Sequence, residues 1–166
     1  MQPFLRHAGR EYYAITLERP RAFALPFAAK PYPILIWDNR GGWSEDERSG
    51  LLQAVLDTDS RYAVCGGISC EQWHDDLDQV FIMRYLDDES ARDNHFLMTT
   101  WHTDQSPEEV AFYFAHSTES EQDDFKRFLV LYVGADISLA RRLEAALTLA
   151  VRDPERFIDE HPEPAG

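Results

Sequence analysis

The chain has 166 residues, of which 44% are hydrophobic and 13% aromatic, and it carries a formal net charge of −14. A chain of this length and composition can bury its own core, so one domain over residues 1–166 is predicted, with an N-terminal segment at 1–30 whose structure the sequence leaves open and a frayed tail at 161–166. The negative charge argues against nucleic acid and anionic membranes as partners.

Cysteine content and the N-terminal sequence indicate a soluble cytoplasmic protein. Cys65 and Cys70 are too few for a secreted disulfide scaffold, and reduced thiols are expected, although the sequence leaves open whether they pair. The opening residues MQPFLRHAGREYY lack the apolar segment of a secretory signal, and no stretch approaches the roughly 20 apolar residues of a membrane span.

The first regular elements are two strands and a helix. Residues 12–17 have a weak strand pattern, and the apolar run at 34–37 is typical of a strand buried on both faces. Ser44 and Glu47 have capping-box spacing at the start of a helix. Its apolar stripe consists of Leu51, Leu52 and Val55.

The next unit repeats this arrangement. A strand is predicted at 62–65 and a turn at Gly66-Gly67, and Ser69 with Gln72 predicts a second capping box. One face of the following helix is apolar, with Trp73, Leu77, Val80 and Phe81 at helical spacing. The opposite face carries Asp75, Asp76 and Asp78.

A third unit spans residues 96–116. It is predicted as a buried strand at 96–101, a polar turn with His102 and Asp104, and a helix capped by Ser106 with Glu109. A fourth strand is predicted at 128–133, and its helix has a stripe of Leu139, Leu143, Leu147 and Ala150.

Four strand–helix pairs in alternation predict an α/β fold. We expect a single three-layer domain with a mainly parallel sheet of at least four strands and helices on both faces. Strand order does not follow from this pattern.

Two segments, GGISCEQWHDD and FLMTTWHTDQSPEEVAFYFAH, resemble an uncharacterised bacterial family of unknown function. That family has a Cys-x-x-Trp-x-Asp element followed by a Thr-Thr-Trp-His-x-Asp element. The matching positions here are Cys70, Trp73, Asp75, Thr99, Thr100, Trp101, His102 and Asp104. The resemblance covers roughly the middle third of the chain, supports the α/β fold and implies no activity.

A thiol enzyme is one interpretation of the strand-end loops, where open α/β sheets bind ligands. Cys70 lies in the first turn of a predicted helix, which favours the thiolate. His102 is a candidate base, with Asp104 or Asp38 orienting its ring. In the alternative interpretation, Cys70 is a buried packing residue and His102 binds backbone groups.

Metal and nucleotide sites have weaker sequence support. A zinc site would use Cys65, Cys70, His74 and His102, but the cysteine spacing is at the limit of zinc motifs. A magnesium site would use Asp38, Asp75, Asp76 and Asp78, although three acids on one helix face are usually solvated. The glycines at 66–67 do not make a phosphate-binding loop. No metal and no cofactor are predicted.

The acidic residues are concentrated in one part of the chain. Residues 71–124 contain 15 of the 30 acids and only Arg84 and Arg92 as bases. This asymmetry, with aromatic residues in the same segment, favours a surface that docks a basic protein. The candidate binding residues are Trp73, Asp75, Asp76, Asp78, Trp101, Glu108 and Glu109. Solubility alone would also explain an acidic surface.

Two functions therefore follow from the sequence. The preferred one is an acidic protein-interaction domain, of the immunity or conflict-system type, that binds a basic protein. The alternative is a small enzyme with a Cys/His site at the strand-end crevice. The fold does not decide between them, and the oligomeric state is left open.

Overall fold

The computed structural model describes residues 1–120 and 122–162, and these contain six strands and six helices. The strands are β1 (Leu5–His7), β2 (Arg10–Leu17), β3 (Tyr32–Asp38), β4 (Ser60–Gly67), β5 (Met98–Trp101) and β6 (Arg127–Val133). The helices are α1 (Glu45–Asp57), α2 (Cys70–Arg84), α3 (Glu89–Asn94), α4 (Pro107–His116), α5 (Ile137–Arg152) and α6 (Pro154–Glu160). All four predicted strand–helix units are present.

The strands form one sheet in the order β1-β2-β6-β3-β4-β5. Every neighbouring pair is parallel except β1 with β2, so the predicted mainly parallel sheet is confirmed. β3 lies between β6 and β4, and all seven of its residues are buried. Its apolar run therefore reflects burial on both faces, as expected for a central parallel strand.

Helices cover both faces of the sheet, which confirms the predicted three layers. On one face α1 and α2 bury Leu51, Leu52, Trp73 and Leu77. On the other face α4, α5 and α6 bury Val110, Phe114, Leu143, Leu147 and Phe157. Full burial of one such Leu or Phe side chain contributes roughly 1.5–3 kcal/mol. The helical stripes read from the sequence are the residues that make these two cores.

Two of the three predicted capping boxes form. The Ser44 and Ser106 hydroxyls accept from the backbone N–H groups of Glu47 and Glu109, and both glutamates bind back. The box at Ser69 was wrong, because Ser69 has a left-handed backbone (φ 60°) and its side chain makes no capping hydrogen bond. The turn out of β4 imposes this conformation, which local spacing does not reveal.

The interpretation of residues 96–101 as a buried strand was also wrong. β5 begins only at Met98 and forms the last strand of the sheet, so it has β4 as its one neighbour among the described residues. Met98 and Trp101 are 43% and 48% exposed. Leu97 is buried, but the position of the strand at the edge of the sheet leaves Met98 and Trp101 uncovered.

The segment before β3 is ordered, although its sequence pattern is weak. β1 and β2 form an antiparallel pair at one edge of the sheet. The connection to β3 packs Phe23, Leu25 and Phe27 against the core beneath α1 and α2. In this connection the Phe27 ring lies 4.9 Å from the Tyr13 ring. The N-terminal segment therefore contributes two strands to the sheet and apolar side chains to the core.

At the other end of the chain, Asp153 ends α5 and caps α6. The predicted frayed tail at 161–166 falls mostly on residues 163–166, which lie outside the described residues. His161 stacks on Phe157 with the ring centroids 4.5 Å apart. Within residues 1–120 and 122–162, no helix has both the length and the apolar composition required to cross a bilayer.

Two glycines are expected to respond in opposite ways to substitution by alanine. Gly67 has a φ of +78°, and an added Cβ would lie 2.3 Å from the Asp38 carbonyl oxygen. Gly67→Ala should therefore lower the free energy of unfolding by at least about 2 kcal/mol. Gly50 lies inside α1 with open space around it, so Gly50→Ala should raise stability by about 0.5–1 kcal/mol. Urea unfolding measures both changes, and equal effects would contradict this geometry.

Candidate functional site

The loops at the carboxyl ends of the central strands are joined by backbone hydrogen bonds. Ile68 N–H donates to the Asp38 carbonyl over 2.9 Å, and His102 N–H donates to the Cys65 carbonyl over 3.0 Å. Asn39 N–H donates to the Val133 carbonyl over 2.8 Å. The strand-end residues are therefore held close together, as the strand–helix pattern predicts.

Asp38 is a fully buried carboxylate at the end of β3. One carboxylate oxygen accepts from the N–H groups of Arg40 and Gly41, at 2.9 and 2.8 Å, and from Trp43 Nε1 at 3.1 Å. The other accepts from Trp73 Nε1 at 2.9 Å. Four N–H donors thus stabilise the charge, and the carboxylate faces the protein interior instead of a ligand.

This arrangement corrects the expectation that Trp73 contacts a partner. Trp73 is 0% exposed and uses its indole N–H to bind Asp38. Its role is to attach α2 to the end of β3. A tryptophan with helical spacing and a buried acceptor for its N–H is part of the core.

The proposed catalytic residues are close in the fold but do not form a triad. Cys70 is 4% exposed, and its Sγ lies 3.6 Å from Thr103 Oγ1. Asp104 is exposed and has a left-handed backbone (φ 59°). Within the described residues, no hydrogen bond joins Cys70, His102 or Asp104 to one another.

His102 uses both ring nitrogens for local contacts. Nδ1 lies 2.7 Å from Gln105 Oε1, and Nε2 lies 3.3 Å from Thr100 Oγ1. A neutral ring with its proton on Nδ1 satisfies both contacts, since the Thr100 hydroxyl can donate to Nε2. The ring also packs against Tyr113 at 4.4 Å. Burial lowers the pKa of His102, and the Gln105 hydrogen bond opposes this shift.

The residues proposed for a zinc site and for a magnesium site each contact other parts of the chain. Asp76 pairs with Arg48 of α1, and Asp78 accepts from Thr99 Oγ1 at 2.7 Å. Cys65 and Cys70 are free thiols, and burial raises the pKa of Cys65. Over residues 1–120 and 122–162, no three His, Cys, Asp or Glu side chains are grouped so that they could hold a metal ion.

Other predicted binding residues meet at the outer edge of the sheet. The Trp101 ring lies 4.3 Å from the His74 ring. His74 Nδ1 is 3.1 Å from Asp75 Oδ1, and its Nε2 is 3.6 Å from Asp78 Oδ2. We call the surface formed by His74, Asp75, Asp78 and Trp101 the acidic edge. It combines the half-exposed Trp101 ring with carboxylates, while Met98, three residues earlier on the same strand, points to the other face of the sheet.

Apolar exposure extends beyond the acidic edge along α2 and the segment that follows it. The exposed large apolar side chains between residues 68 and 101 are Ile68, Ile82, Met83, Leu86, Phe96, Met98 and Trp101. Sequence reasoning missed most of these residues. The sequence did contain a sign of this exposure, because Ile82 and Met83 are apolar but lie outside the predicted apolar stripe of α2.

Glu108 and Glu109 lie on α4, which covers the opposite face of the sheet from α2. Burial would raise the pKa of Glu108, but its hydrogen bonds from Arg142 at 2.6 and 2.7 Å lower it overall. Glu109 completes the capping box of α4. The structure therefore uses these two carboxylates for contacts within the chain and separates them from the acidic edge.

A family model described as a domain of unknown function (DUF7684) matches residues 12–150, which run from β2 into α5. The matched range includes every strand but β1, together with the acidic edge. No curated protein and no solved structure matches the chain.

Replacement of Asp38 tests the importance of the buried carboxylate. Asp38→Asn keeps the shape but turns an amide NH₂ toward N–H donors, so we expect a loss of about 2–3 kcal/mol in the free energy of unfolding. Trp43→Phe removes one donor and should cost less, about 1 kcal/mol. Urea unfolding followed by far-ultraviolet circular dichroism measures both. Wild-type stability in Asp38→Asn would contradict the role of the charge.

The His102 environment predicts a loss of stability in mild acid. Since burial lowers the pKa of His102 in the fold, the unfolded chain binds more protons below about pH 6.5. The neutral His102 ring therefore makes its full contribution to the free energy of unfolding above that pH. The contribution falls, by at most about 1.4 kcal/mol per pH unit, as the pH drops toward the pKa of His102 in the folded state. His102→Gln should therefore have a flatter profile than the wild type between about pH 7 and 5.5. Parallel profiles would be inconsistent with a buried neutral ring.

Proposed function

The chain belongs to the family of domains of unknown function DUF7684, which assigns no activity, and we propose from its own surface that it is a protein-interaction domain for a basic partner. The docking site is the acidic edge. The observation that carries this proposal is the half-exposed Trp101 on an edge strand, next to the carboxylates of α2. In its narrower form, the partner is a basic effector neutralised by an immunity-type protein.

The edge position supports docking because β5 pairs with β4 alone among the described residues. An edge strand presents unpaired backbone groups, and a partner strand can bind to them. Met98 and Trp101 are 43% and 48% exposed, and large side chains of this kind act as anchors in protein interfaces.

Charge supports a basic partner over a neutral one. The only bases of residues 71–124 are already paired: Arg84 lies 2.7 Å from Asp57, and Arg92 lies 3.2 Å from Glu89. Most carboxylates around α2 and α3 are therefore left without a compensating charge from this segment. A surface of this kind speeds the encounter with a basic protein and discriminates against acidic ones.

The geometry at Trp101 suits an arginine or lysine of the partner. A cation above the indole ring would gain a cation–π contact, and the carboxylates of Asp75 and Asp78 lie around the neighbouring His74. Arginine fits best because its planar guanidinium can stack on the ring and bind a carboxylate at the same time.

The alternative of a small thiol enzyme lacks such support. Cys70 is buried against Thr103, and His102 binds Gln105 and Thr100. In residues 1–120 and 122–162 there is no hydrogen bond between the Cys70 thiol and the His102 ring. The enzyme therefore stays a prediction from the sequence.

Site-specific photo-crosslinking in the host cell tests the proposed surface. A photoreactive amino acid at Met98, on the edge strand that carries Trp101, should capture a basic protein, identified by mass spectrometry. The same group at Ile137, which is exposed on α5, is the control and should not capture it. Equal capture at both positions, or an acidic captured protein, would contradict the proposal.

Binding to the purified partner then gives the strength of the contact. Trp101→Ala should weaken it by about 30-fold, the size of an interface hot spot, while Ile137→Ala should leave it unchanged. Asp75→Lys should lower the association rate, and Asp159→Lys on α6 is the matched charge control. Affinity that resists both the Trp101 and the Asp75 change would rule out the acidic edge.

A further inference from the structure

A second surface, opposite in charge to the acidic edge, lies at the carboxyl ends of β2 and β6. A cavity of about 710 Å³ is lined there by Thr16, Glu18, Arg19, Arg21 and Arg40. Three of these five residues are arginines, in a chain of net charge −14. We propose that this cavity binds the phosphate group of a small phosphomonoester.

The location is one where open α/β sheets bind ligands. After β2 the chain crosses the face covered by α1 and α2, whereas after β6 it enters α5 on the other face. Adjacent parallel strands whose connections leave on opposite faces open a crevice between their carboxyl ends. Between β6 and β3, Asn39 Nδ2 donates to the Gly134 carbonyl over 2.7 Å, and between β6 and β2 the Gly134 N–H donates to the Leu17 carbonyl over 2.8 Å.

The fold brings Arg40 to this place from the neighbouring loop. Its backbone N–H binds the Asp38 carboxylate at 2.9 Å. Arg40 also lies directly over Gly134, where an added Cβ would approach the Arg40 Cβ to 2.9 Å. The guanidinium carbon is 5.8 Å from the centre of the Trp43 ring, a cation–π contact that leaves its N–H groups free to bind a ligand.

Arg19 and Arg21 reach the cavity from the loop after β2. Both side chains are exposed, while Pro20 between them is buried and anchors the loop. Within residues 1–120 and 122–162, neither they nor Arg40 forms an ion pair. Arg19 does act at a distance on Glu47, whose pKa is lowered mainly by hydrogen bonds from Ser44 and also by the charge of Arg19.

Charge and size indicate the class of ligand. Three arginines and Glu18 give the lining a formal charge of +2, and a phosphomonoester carries about −1.5 to −2 at pH 7. One guanidinium group can donate two parallel hydrogen bonds to two phosphate oxygens, and the Thr16 hydroxyl can donate a further one. The cavity has the volume of a small-molecule site. The net charge of −14 on the whole chain disfavours a nucleic acid, so the proposed ligand is a small molecule.

Isothermal titration calorimetry of the full chain with phenyl phosphate tests this site, in a phosphate-free buffer at constant ionic strength. We expect saturable binding that Arg40→Gln weakens about tenfold or more, with a similar loss in the double variant Arg19→Gln/Arg21→Gln. Arg40→Lys should bind with intermediate affinity because it keeps the charge but loses the planar fork.

The matched control is Arg141→Gln/Arg152→Gln, which removes two α5 arginines that also form no ion pair among the described residues. It should bind like the wild type. Circular dichroism shows whether each variant folds. If the Arg40→Gln variant does not fold, the Arg19→Gln/Arg21→Gln double variant provides the test. No saturable heat, equal losses in the control, or equally tight binding of benzoate would overturn the proposal. Equally tight inorganic phosphate would overturn the monoester assignment.

Discussion

The buried carboxylate of Asp38 is the contact on which the position of the proposed docking surface depends. A buried charge costs several kcal/mol unless it is paired or fully hydrogen-bonded. Here no cation is used: two backbone amides and the indoles of Trp43 and Trp73 supply the donors. One side chain therefore holds together the end of β3, the turn before α1 and the first turns of α2. The position of α2 in turn sets the position of the acidic edge.

Side chains of the chain itself occupy the centre of the carboxyl edge, and its two sides are more accessible to a ligand. Asn39 covers Gly134 between β3 and β6, and Cys70 and His102 are buried within their own loops. What stays open is the acidic edge at β5 and the arginine cavity at β2. Four strand spacings of about 4.8 Å separate β2 from β5, or roughly 19 Å, so the two surfaces can work independently.

The carboxylates of the acidic edge also influence which chain can pair with β5. An exposed edge strand with Met98 and Trp101 invites pairing with a second copy of itself. The carboxylates of Asp75 and Asp78 would then face their own equivalents, and like charges across an interface cost several kcal/mol. A basic partner would instead place cations opposite Asp75 and Asp78, and unlike charges attract. The same residues thus oppose self-association and favour the partner that we propose.

Most of the helices and the central strands were predictable from the sequence, because capping and periodicity act within a few residues. Ser44 and Ser106 start their helices as predicted, and the stripes at Leu51, Leu143 and Leu147 face the core. Part of the candidate site was predictable too, since Asp75, Asp78 and Trp101 lie in the acidic segment. Three features could not be predicted in this way: Trp73 is buried on Asp38, β5 is an edge strand, and Arg19 and Arg21 line one cavity with Arg40. Strand order is set by contacts between distant residues, so local patterns identify an apolar or charged side chain without showing what will cover it.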